Sequence, residues 1–109
     1  MNAQNNTLIE KLVLDAREAQ ESINNYSQEQ VDELILAVAW EVIQPENNQE
    51  LSEMAVNQTG LGNIEDKKQK NKRKTLGLLR DLKDVKTVGI IDDNSQKGLI
   101  EIASPVGVI

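Results

Sequence analysis

The sequence predicts four helices, then a β-hairpin, then the opening of a further strand, in a chain short enough to be a single small domain. Three observations predict it. Apolar residues recur at spacings of three and four from Leu8 to Leu82. After Val85 the period falls to two, in Thr87-Val88-Gly89-Ile90-Ile91 and again in Leu99-Ile100-Glu101-Ile102-Ala103. Pro105 then separates the second run from the apolar Val106-Gly107-Val108-Ile109.

Residues 1–6 are polar and expected to be irregular. Thr7-Leu8-Ile9-Glu10 reads as a capping box, the Thr7 hydroxyl accepting the third amide while Glu10 reaches back. Leu8, Leu12, Ala16, Ala19 and Ile23 form one apolar stripe, and Asn24-Asn25 is a suitable stop because asparagine tolerates the left-handed conformation. Ser27-Gln28-Glu29-Gln30 is a second capping box, with Tyr26 placed to staple onto Val31. Val31, Leu34, Ile35, Val38 and Val42 make the main face of the second helix, widened by Leu36, Ala37, Ala39, Trp40 and Ile43. Pro45 ends it. Asn47-Asn48 is expected to open a short third helix with Leu51, Met54 and Ala55 inward, closed by Gly60. Asn63 caps a fourth, with Glu65 and Asp66 in its favoured first turn. The early part of that helix, 67–74, reads as too polar to bury any face, and Leu76, Leu78, Leu79 and Leu82 restore an apolar side. Residues 92–98 are rich in turn formers and join the two strands of the hairpin.

Composition removes several kinds of chemistry. The 109 residues contain no cysteine and no histidine, so there is no thiol nucleophile, no disulfide and no imidazole base or ligand. Trp40 and Tyr26 are the sole aromatics, which leaves an aliphatic core. No apolar run approaches the ~20 residues that span a bilayer. The opening residues lack a basic leader and an apolar signal core, so the chain reads as cytoplasmic. Net charge is −6, unevenly spread: up to Asp66 the bases are Lys11 and Arg17 alone, and then Lys67, Lys68, Lys70, Lys72, Arg73 and Lys74 follow with no acid among them.

The stretch that organises the rest is 54–71. Met54-Ala55-Val56, Thr59-Gly60-Leu61-Gly62, Glu65-Asp66-Lys67 and Lys70-Asn71 resemble the N-terminal region of CoA-acylating aldehyde dehydrogenases, whether free-standing or as the aldehyde half of bifunctional aldehyde-alcohol dehydrogenases. Ser104-Pro105-Val106-Gly107-Val108-Ile109 is similar to the entry into that family's nucleotide-binding domain. The resemblance implies an α/β parent of the aldehyde dehydrogenase fold. Within it, 1–86 would be an N-terminal helical layer, 87–104 a hairpin of the oligomerisation region, and 105–109 the truncated start of the NAD-binding domain. It also implies a reaction in which a short aldehyde, CoA and NAD give acyl-CoA and NADH through a cysteine thiolate. Acetaldehyde is the default substrate, with sulfoacetaldehyde or another small aldehyde open. The partners implied are the remainder of the parent enzyme, further subunits of a homo-oligomer and the aldehyde, with neither nucleic acid nor membrane.

No position is assigned a catalytic, cofactor-binding or metal-binding role. The nucleophile is absent, and the chain reaches no complete nucleotide-binding strand, so the segment by itself is expected to be inactive. Gly60-Leu61-Gly62 is only a G-x-G and follows a helix rather than a strand, which suits a helix end better than a phosphate loop. The basic run could meet a polyanion, but no aromatic lies within it to stack on bases, and a solvated helix face accounts for it. Trp40 reads as core or interface packing, and Asp32-Glu33 as solvent-facing. Two other functions fit the residues: a helical module whose apolar faces bind a partner protein, and a small nucleic-acid-binding protein using 67–74.

Overall fold

The computed structural model describes residues 3–109, with side chains from Asn6 onward. In chain order it contains α1 (Ala3–Ile23), α2 (Gln28–Ile43), α3 (Pro45–Thr59), α4 (Ile64–Leu82), β1 (Ile90–Asn94) and β2 (Leu99–Ile102). The chain divides into two compact units. One joins the chain up to Gln28 with Lys86–Ile109, and the other is Glu29–Val85.

In the first unit, α1 starts a turn earlier than its capping signal. Ala3 begins it, so Thr7 is an interior residue and not an N-cap, and the expected irregular start at 1–6 is helical from residue 3. Once a helix has nucleated, adding residues such as alanine and glutamine costs little. Met1 and Asn2 lie outside the described residues. The stripe that α1 turns inward is also rotated from the one expected. Val13, Ala16, Gln20 and Ile23 are half-buried, whereas Leu8 and Leu12 stay more than half exposed.

The strands pair antiparallel with Ile90 opposite Ile102, Asp92 opposite Glu101, Asp93 opposite Ile100 and Asn94 opposite Leu99. Ile91 is the extra residue of a bulge between Ile90 and Asp92. The hairpin forms as expected, but its first strand is displaced toward Asp92-Asp93-Asn94, which the sequence places in the loop. Gly89, at φ 73°, cannot continue a regular strand from Thr87, so the ladder starts beyond it. The Asn94 side-chain and backbone oxygens both accept from the Lys97 amide at 3.1 Å, which closes a tight turn directly after β1. Residues 106–109 meet no neighbouring strand and form none.

In the second unit, Pro45 both stops α2 and starts α3. Gln44 is extended (φ −52°, ψ 134°), as a residue before proline must be, and Pro45 sits in the first turn, where its missing N–H would have had no partner. The expected start at Asn47-Asn48 is therefore two residues late, and Asn48 is freed for another role. α3 ends at Gly60 (φ 66°), whose amide donates to the Val56 carbonyl at 2.8 Å. A methyl group at Gly60 would meet nothing within 4 Å, so only the left-handed backbone opposes it. Gly60→Ala is accordingly expected to lower stability by about 1 kcal/mol, as measured by urea denaturation followed by circular dichroism.

Burial is inverted relative to an ordinary core. Ala39 is the one buried apolar residue among those described, while Asn48 (5% exposed) and Ser52 (0%) are buried polar ones. Trp40, expected to pack, is 61% exposed, and Leu36, Val38, Leu51 and Met54 are also exposed. The chain presents 9237 Å² to solvent. On the strands, Ile90, Leu99, Ile100 and Ile102 are exposed as well.

Candidate functional site

The stretch 54–71 forms a helical hairpin, and its chemistry is that of a joint. Thr59 donates its hydroxyl to the Ala55 carbonyl at 2.6 Å and accepts the Leu61 amide at 3.2 Å, filling orphan positions at the end of α3. Asn63 caps α4 as the sequence predicts: its Oδ1 accepts the Asp66 amide at 2.9 Å, and its Nδ2 donates to the Asp66 carboxylate.

Between the helices lies a polar cluster that the sequence reading missed. Asn48 Nδ2 donates to the Lys68 carbonyl at 3.0 Å. Asn71 Nδ2 donates to Asn48 Oδ1 at 3.0 Å and to Ser52 Oγ at 3.4 Å, and the Ser52 hydroxyl reaches Asn48 Oδ1 at 3.4 Å. No buried side-chain nitrogen or oxygen among the described residues lacks a partner. The signal was present as Asn48 and Ser52 at i, i+4 on one face of α3, with Asn71 on α4. It was hidden because asparagine reads as a surface or cap residue unless a partner helix is in view. No residue of α4 is fully buried, in keeping with the polar character of 67–74, but the cluster draws part of that run toward α3. Lys67, Lys68 and Asn71 are half-buried, while Lys70, Lys72, Arg73 and Lys74 remain exposed. Lys68 lies 3.6 Å from Glu65, whose carboxylate is exposed, so the ion pair is worth little in water.

The Gly60-x-Gly62 turn joins two helices, and the space beside Gly62 is taken: Lys67 Cε would lie 3.3 Å from a β-carbon there. The first turn of α4 holds Glu65 and Asp66, and its Asp66 amide already donates to Asn63 Oδ1. No cluster of three or more acid, cysteine or histidine side chains among the described residues is placed to hold a metal.

No family model matches the chain. Individual proteins do. It is 48% identical over 103 residues to the sulfoacetaldehyde dehydrogenase (acylating) of Bilophila wadsworthia, which covers 94% of this chain and 22% of that protein. It is 49% identical over 98 residues to the enzyme of the same description from Cupriavidus necator, covering 90% of this chain and 20% of that one. The structure superposes on the crystal structure of an acetylating aldehyde dehydrogenase from Geobacillus thermoglucosidasius with a TM-score of 0.83 and 35% identity, over 95% of this chain and 23% of that one. The chain belongs to the acylating aldehyde dehydrogenases, as their N-terminal segment. It spans about a fifth of the length of these relatives. Within the acylating aldehyde dehydrogenase fold, the four helices and the two-stranded antiparallel sheet are the part this chain supplies. The family members are enzymes, and this segment carries no cysteine. No helix among the described residues is long and apolar enough to cross a membrane.

Proposed function

We propose that this chain is the scaffold segment of an NAD-dependent, CoA-acylating dehydrogenase of a small aldehyde, with sulfoacetaldehyde the leading substrate. The observation that carries the proposal is the 48–49% identity with sulfoacetaldehyde dehydrogenases over nearly the whole chain. By comparison, identity is 34% with the bifunctional aldehyde-alcohol dehydrogenase AdhE of Escherichia coli. The parent oxidises the aldehyde and transfers the acyl group to CoA in the cytoplasm, with NAD accepting the hydride. The segment's own contribution is surface. The exposed apolar faces of α2 and α3 are those that the remainder of the parent covers, 87–104 is the hairpin that pairs subunits, and 105–109 leads into the NAD-binding domain. The helical-module and nucleic-acid readings have no comparable support.

The test is a graft. The corresponding segment of the Bilophila wadsworthia enzyme is replaced by this chain, and NADH formation with CoA is followed for sulfoacetaldehyde and acetaldehyde. Activity within about tenfold of the unmodified enzyme is expected, and a folded graft with none would refute the scaffold role. The isolated chain is expected to produce no NADH above a protein-free control, because a thiolate is required and none is present. Retained preference for sulfoacetaldehyde in the graft is also expected, since the substrate pocket lies outside this segment.

A further inference from the structure

The first unit is discontinuous: the chain leaves it after Gln28 and returns at Lys86. The two ends of that excursion are tied by one side chain. Gln28 Oε1 accepts the backbone amides of Thr87 at 2.7 Å and Val88 at 3.1 Å, while Gln28 Nε2 donates to Thr87 Oγ1 at 2.9 Å. Three bonds from a single carboxamide thus hold two consecutive residues that belong to no helix or strand. Immediately beyond them, Gly89 turns at φ 73° and its carbonyl accepts the Ala103 amide at 2.8 Å, which opens the hairpin. Gln28 and Val88 are half-buried and Thr87 is exposed, so water competes least with the bond to the Val88 amide.

We propose that Gln28 is a positioning residue that staples the exit and return of the chain around 29–85, fixing where the hairpin departs and so presenting its apolar surface to a second copy of this chain. That surface carries Ile90, Ile91, Ile100 and Ile102, all exposed. The partner rests on the reading of the hairpin as a subunit-pairing element; the staple itself does not. Oligomer pairing through such a ribbon depends on the direction in which it leaves its base, because a two-stranded sheet has little stiffness of its own. The Thr87 and Val88 amides have no strand partner, so without Gln28 they fall back on water, and the base of the ribbon loses this long-range anchor.

The experiment uses the whole chain. Residue-resolved amide hydrogen exchange and sedimentation velocity over a concentration series are run on the parent sequence, Gln28→Ala, Gln28→Glu and Thr87→Val. Gln28→Ala is expected to speed exchange at Thr87 and Val88 by tenfold or more, leave the α3 and α4 amides unchanged, and weaken self-association several-fold. Gln28→Glu keeps the acceptor and lets the Thr87 hydroxyl donate instead, so it is expected to restore slow exchange and association. Thr87→Val removes one bond of the three and is expected to show a smaller rise. Exchange at Thr87 and Val88 within twofold of the parent in Gln28→Ala would overturn the staple. Faster exchange with unaltered association would overturn its positioning role. Neither readout needs catalysis, so failure here leaves the family reading standing, and failure of the graft leaves Gln28 standing.

Discussion

Asn71→Leu is expected to destabilise the α3–α4 hairpin by about 2–3 kcal/mol, a large share of what a segment of this size possesses. Asn71 Nδ2 is the donor shared by Asn48 Oδ1 and Ser52 Oγ, and both of those residues are buried. Leucine removes the donor and sets hydrocarbon against both oxygens; Asn48 Oδ1 keeps only the long bond from the Ser52 hydroxyl, and Ser52 Oγ loses the donor from Asn71, so much of their desolvation goes uncompensated. The sign reverses when every member is exchanged together. Asn48→Leu, Ser52→Ala and Asn71→Leu in one chain leave no polar side chain stranded and are expected to recover most of the loss. The same triple exchange also removes the feature that sets which residues of α3 meet which of α4, so its amide exchange is expected to be broader and less protected than that of the parent. Urea denaturation of the three proteins decides the matter. A single variant as stable as the parent would show that the cluster contributes nothing.

The second large effect concerns association. Both strands of the hairpin are lined with exposed Ile90, Ile91, Leu99, Ile100 and Ile102, and neither outer edge is covered. Unpaired apolar edges are templates for further strands. The chain is therefore expected to associate in a concentration-dependent way, and deletion of 87–109 is expected to abolish association while preserving most of the helical signal. A point change separates the edge from the fold of the ribbon. Ile100 faces Asp93 across the ladder, so Ile100→Lys forms an opposite-charge pair that supports the hairpin while placing a charge where a new strand would dock. Light scattering is expected to show that this variant stays monomeric at concentrations where the parent does not. Equal association of parent and variant would move the contact away from the hairpin, toward the exposed faces of α2 and α3.

The helices, their order and the hairpin were legible in the sequence, because each rests on local chemistry. A proline bars one conformation, Asn63 offers an oxygen to an amide three residues on, Gly60 accepts a left-handed turn, and a period of two replaces one near 3.6. The same kind of evidence placed the chain in its family, since 54–71 carries most of its pattern in a short span. Local chemistry misled where a neighbouring local signal outweighed the one read. Thr7 lost its cap to an extra turn of α1, and Asn47-Asn48 lost the start of α3 to Pro45. The first strand slid past Gly89 to gain the turn at Asn94. What only the tertiary structure decided is which polar side chains are buried and what they hold. Asn48, Ser52 and Asn71 read as surface residues until α3 and α4 come together, and Gln28 reads as part of a capping box until Thr87 returns to it 59 positions later. A side-chain amide has no local preference strong enough to announce such a partner. Its bond is set by where two distant backbones meet, and that is a property of the fold.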